Sequence, residues 1–270
     1  MNIGNSIRDI DARLEKDLKA YNKKQRLLTT IGIILLLIVF RNTIMFNLKF
    51  ACAFVSGQDN TPINVKEEPL QIDYPKMLQE QNTFVYTSLV NGHRIKIIPQ
   101  AYYKISGMVV AHNHTFIFRN DFFDSAALYD IGIVWGPLAN KKIFKKYFKC
   151  YSDKNELSQA RVLYTSFKSY ETYKQFKKDM PKISINNSFS HSHLVPENRN
   201  VMAALLKIKD WSEVEIEGQL IDMEYKNKYG YMQEYRTSTS RTDNGNGNRG
   251  YGACETILVR SVKIGNKVYR

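Results

Sequence analysis

Only three cysteines occur in the 270 residues, Cys52, Cys150 and Cys254, and no two of them form a CxxC pair. That excludes a thioredoxin-like site and a zinc ribbon, both of which need closely spaced thiols. Walker A, GxSxG and HExxH sequences are absent too. P-loop nucleotide binding, serine-hydrolase chemistry and zincin chemistry are disfavoured accordingly, since each needs its groups at a fixed spacing. There is no internal repeat, and no cofactor is implied.

Charge is lacking in one place above all. Leu27–Phe40 (LLTTIGIILLLIVF) is free of it, while Arg8, Arg13, Lys16, Lys19, Lys23, Lys24 and Arg26 crowd the N-terminal side. At 1.5 Å per residue this run covers only about 21 Å, so a spanning helix must continue past Arg41 to Leu48 to cross about 30 Å of hydrocarbon. A cleaved signal ending at Ala51-Cys52-Ala53 fits less well, because Arg41 and Lys49 interrupt the stretch before it. A buried helix of a soluble protein is disfavoured by the apolarity of the run. The expectation is a single-pass signal-anchor in a bacterial inner membrane. The excess of positive charge before it places the N-terminus in the cytoplasm and the rest in the periplasm.

The organisation expected is a cytoplasmic segment (1–26), an anchor (27–48), a linker (49–82) and an extracytoplasmic domain (83–270). Ile7, Ile10, Leu14, Leu18 and Tyr21 share one helical face in the first of these. The linker begins polar, carries prolines and shows little periodicity. From Thr83 onward, TFVYTSLV, RIKIIPQ, YYKISGMVVA and HTFIF are rich in β-branched and aromatic residues. Asn91-Gly92 marks a hairpin turn. AALYDIGIVWG reads as a buried segment, and helices are expected over 156–167, over 170–178 and from Pro196 to Ile208. SEVEIEGQLIDMEY alternates but slips by one residue at Ile221, and ETILVRSVKIG supplies a last strand. The fold class expected is α+β, mainly β, with a small curled barrel of OB-like type behind the anchor.

Net charge is +13. The Lys141–Lys149 cluster interleaves lysines with aromatics, which suits an anionic surface or, more simply, a solvated lysine-rich edge. Outside the cytoplasm, nucleic acid is not an expected ligand. A Cys150–Cys254 disulfide suits an oxidising compartment, although spacing alone does not establish it.

Two stretches concentrate residues able to carry chemistry: Ser190-His191-Ser192-His193-Leu194-Val195-Pro196, and Arg236 through Glu255. A Cys–His nucleophile would use Cys254, with His193 as base and Asp243 or Glu255 as orienter. A zinc site would need the His191/His193 pair to meet the His112/His114 pair, and no metal ligand is assigned on sequence alone. In a purely structural reading, Arg236 and Arg241 pair with Asp243 and Glu255, and the loop serves binding, together with His191.

These stretches carry a likeness. Glu68-Pro69-Leu70-Gln71, Trp135-Gly136, His193-Leu194-Val195-Pro196 and the run Arg236–Glu255 resemble a family of uncharacterised bacterial membrane-anchored or exported proteins. The family's C-terminal signature is R-S-S-x-S-R-x-D-T-G-x-G-A-C-E. This chain departs from it with Asn244 in place of Thr and a loop lengthened by Asn246–Tyr251. The resemblance implies a location and a shared fold but no activity. The function expected is that of a non-enzymatic envelope interaction or assembly module with a protein partner, homo-oligomerisation being left open. The alternative is a hydrolase or transferase using Cys254 and His193.

Overall fold

The computed structural model describes residues 23–34, 52–114, 122–152, 163–227, 229–237 and 254–270. Two compact units divide the chain, Met1–Leu48 and Lys49–Arg270. In the first, residues 23–34 form helix α1, with exposed side chains. Among the described residues no helix is long and apolar enough to cross a membrane. The expected transmembrane anchor is corrected on that ground, and with it the single-pass, signal-anchor description. At 1.5 Å per residue, α1 covers only about 18 Å. The amphipathic stretch over 1–22 and residues 35–48 lie outside the described residues.

In chain order the second unit contains β1 (Gly57–Gln58), β2 (Leu70–Asp73), α2 (Lys76–Gln81), β3 (Phe84–Thr87), β4 (Arg94–His114), α3 (Phe122–Ala126), β5 (Tyr129–Val134) and α4 (Lys141–Tyr147). There follow β6 (Phe148–Ser152), β7 (Leu163–Phe167), α5 (Tyr170–Asp179), β8 (Phe189–Pro196), α6 (Arg199–Leu205), β9 (Glu213–Lys226), β10 (Met232–Tyr235), β11 (Cys254–Ile264) and β12 (Lys267–Tyr269). The unit is mainly β. Residues 49–82, read from sequence as a linker, hold β1, β2 and α2, and β2 pairs with β4.

Five strands close on themselves. β4 pairs with β5, β5 with β8, β8 with β11 in parallel, β11 with β9, and β9 with β4 again. This ring is compatible with the OB-like barrel expected. Alternate residues face inward, because successive side chains of a strand point to opposite faces. The inner core includes Tyr103, Ile105, Ile131, Ile133, Leu194, Ile216, Leu220, Ile257 and Val259, and α6 adds Val201, Ala204 and Leu205.

A second core lies against the outer face, built from Ile95, Ile97, Phe122, Val195, Ile221, Met223 and Leu258. This explains the slip in the β9 pattern. Val214, Ile216 and Leu220 face the barrel interior, whereas Ile221 and Met223 use the opposite face of the same strand for the outer core. On the partner strand β4, the register shifts between Pro99 and Ala101 to accommodate the change.

Other local readings are refined. The runs from Arg94 to His114 are one continuous strand. Gly92 takes a positive φ of 74° in the turn before it, a conformation that costs glycine little. Residues 163–167, expected to be helical, form β7 and pair with β6, while 153–162 are outside the described residues. Pro196 ends β8 instead of opening a helix; the cap of α6 is Asn198, whose Oδ1 accepts from the Val201 N–H at 3.0 Å. The basic cluster is α4 and the first two residues of β6; α4 buries Phe144 and Tyr147 and places Lys141 and Lys145 over the Trp211 ring.

Candidate functional site

β8 carries its chemistry on both faces. His191, His193 and Val195 share the outer face, as Val195 belongs to the outer core, while Ser190, Ser192 and Leu194 share the inner one. The antiparallel register with β5 sets Asp130 directly across from His193. His193 Nδ1 donates to Asp130 Oδ1 at 2.7 Å, and the two residues are 5% and 0% exposed. A carboxylate accepting at Nδ1 fixes the ring orientation and leaves Nε2 as the lone-pair nitrogen of the neutral ring. The His191 ring lies 4.5 Å from that of His193, centroid to centroid, and is also buried.

Phe123 and Tyr235 wall this cluster. Their rings stack at 4.0 Å, and Phe123 meets His193 in an edge-on geometry at 5.1 Å. The parallel register with β11 places Thr256 opposite His193 and Cys254 opposite His191. Thr256 is fully buried; its N–H donates to Thr237 Oγ1 at 2.9 Å, and its own Oγ1 has no hydrogen-bond partner.

The inner face holds a second polar group. Ser190 Oγ donates to the Glu255 carboxylate and lies 2.8 Å from Ser192 Oγ. All three residues are buried. Glu255 therefore serves a serine pair inside the barrel and does not point to the same face as His193.

Of the residues singled out by sequence, His191 and His193 are brought together. Cys254 is placed by its backbone alone, across from His191 and not His193, and its side chain lies outside the description. Asp243 and Arg241 lie outside the described residues. Arg236 donates to the Asp222 carboxylate at 3.0 Å and to Glu234 at 2.8 Å, while Asp243, one of its expected partners, lies outside the described residues. The Asp222 hydrogen bond is foremost in raising the Arg236 pKa.

Among the described residues His112 does not join the other histidines: its Nδ1 lies 2.7 Å from Asp210 Oδ1 and its ring stacks on Tyr129, while the His114 side chain lies outside the description. Cys150 carries a free thiol on β6, so the Cys150–Cys254 disulfide is not formed. Sequence reasoning missed Asp130 and Thr256. Asp130 had a signal, being the one acidic residue inside the otherwise apolar run AALYDIGIVWG.

No family model, no curated protein and no solved structure matches this chain.

Proposed function

We propose that the chain is a non-enzymatic interaction module that docks an acidic protein partner on the strand–helix–strand segment Leu70–Thr87. The observation that carries this reading is exposed apolar surface at a sheet margin. Leu70 and Ile72 on β2, Met77 and Leu78 on α2, and Phe84 and Val85 on β3 are all exposed, Met77 at 63% and Ile72 at 54%. A water-exposed group of this size on one short segment is the mark of a contact surface.

Among the described residues, β2 and β3 each pair with β4 alone, so each presents an open edge to which another chain can add a strand. Charge argues for a different protein over a second copy. At +13 over the whole chain, two copies repel and an acidic partner is steered inward at long range, although Asp73, Lys76 and Glu80 leave the segment itself close to neutral.

Site-specific photo-crosslinking in cells expressing the full chain tests the reading. A photoreactive residue at position 72 is expected to give one discrete product with an acidic protein, lost when Met77→Lys is added. The same probe at position 142 on α4 is expected to give no such product. Crosslinks from position 72 to the chain itself alone, or none at all, would refute the reading.

A further inference from the structure

We propose that Asp130, His191 and His193 bind a divalent transition ion of the zinc class on the outer face of the barrel. The ion would take the place of the proton that His193 shares with Asp130. One donor atom from each of the three side chains lies within 4.8 Å of the others, and all three residues are buried. Two imidazoles and one carboxylate form a three-ligand set that suits zinc and leaves a fourth position open.

The backbone fixes these donors. Asp130 and His193 are paired residues of one ladder, and His191 sits two residues before His193 on the same face. Thr256 gives an independent pointer. Its side chain is fully buried, lies on the His193 face by register with β11, and leaves Oγ1 without a hydrogen-bond partner. A buried hydroxyl left without a partner is destabilising, and a bound water removes that cost. A water bound to Thr256 Oγ1, on the His193 face, is the fourth ligand that this proposal requires.

The Phe123–Tyr235 stack supplies the apolar wall, which limits solvent and strengthens the attraction between the ion and its ligands. Ligand atoms of a tetrahedral zinc site stand about 3.3 Å apart when each bond is about 2.0–2.1 Å. The His193–Asp130 pair, at 2.7 Å, must open by roughly half an ångström, and the His193 proton moves to Nε2. His112 takes no part, being engaged with Asp210.

The test uses the untagged full-length chain, stripped with a chelator and titrated with Co²⁺, then with Zn²⁺ in competition with a chromophoric chelator. The expected result is one ion per chain and a visible Co²⁺ band of tetrahedral intensity. His191→Ala and Asp130→Asn are each expected to weaken binding at least tenfold, Thr256→Val a few-fold, and His112→Ala not at all. Circular dichroism on each stripped variant confirms folding, and Asp130→Asn, which keeps side-chain size, decides the matter if His191→Ala unfolds. Failure of the wild-type chain to bind either ion at micromolar concentration would overturn the proposal, as would equal affinity in the folded Asp130→Asn variant.

Discussion

Gly218 on β9 approaches Leu258 on β11 so closely that an added Cβ would lie 2.0 Å from the Leu258 carbonyl oxygen. The obstacle is backbone, which cannot swing aside as a side chain can. It also lies beside the register shift between Val259 and Ser261, where the barrel turns its corner. Gly218→Ala is expected to destabilise the second unit by about 3 kcal/mol, at the upper end of overpacking costs. Urea unfolding measures it, and a loss below about 1 kcal/mol would contradict so close an approach.

Asp130→Ala removes the acceptor of the buried His193 Nδ1–H. With metal excluded by chelator, the expected loss is about 1–3 kcal/mol, the usual cost of stranding a buried donor. His112→Ala breaks a half-exposed pair with Asp210 and is expected to cost under about 1 kcal/mol. Equal losses from the two substitutions would argue against a special role for the buried pair.

Acid is expected to weaken the fold through two carboxylates. The Lys263 ammonium, 2.6 Å away, holds Asp59 at about 2. The Tyr147 hydroxyl and then Lys146 hold Asp179 at about 2. Both values lie below the ordinary carboxylate value, so the unfolded chain takes up these protons first as pH falls. The stabilisation is complete above about pH 4 and disappears as pH drops toward 2. Unfolding midpoints measured from pH 5 to pH 2 should fall, and Asp59→Asn and Asp179→Asn should each flatten the slope. An unchanged slope in both variants would rule out these two groups as the source.

Burial pushes the Cys150 thiol up to about 12, whereas Cys52 is exposed. Iodoacetamide at pH 8, with sites mapped by mass spectrometry, is expected to alkylate Cys52 in the native protein and Cys150 only after denaturation. The thiolate is the reacting species, and Cys150 holds almost none of it in the fold. Rapid native labelling of Cys150 would show that β6 opens readily.

Much of the local structure was legible in residue order. The alternation of apolar residues in SEVEIEGQL reports a strand with one buried face, and the strand β9 follows. Residues 170–178 read as helix, and α5 begins behind Ser169, whose side chain accepts from the Thr172 N–H. The two-residue spacing of His191 and His193 puts them on one face only because 189–196 is a strand, which the residue order does not assign. The apolar run Leu27–Phe40, its continuation to Leu48 and its basic flank suggest a membrane helix, but among the described residues no helix is long and apolar enough to cross. Residues 163–167 were read as helix, but their pairing with β6 is a contact that local propensity does not encode.

What the sequence by itself determined is the periodicity of the strands and the turn at Gly92. These follow from the two-residue repeat of a strand and the backbone freedom of glycine, which act within a few residues. Only the tertiary structure decided that Asp130 meets His193 and that Thr256 stands beside them, 63 residues from His193 in the chain. It also decided that Glu255 turns inward to Ser190 while Arg236 turns to Asp222. The reason is register: barrel closure selects which residues of distant strands lie opposite one another, and a shift of one would exchange the inner and outer faces.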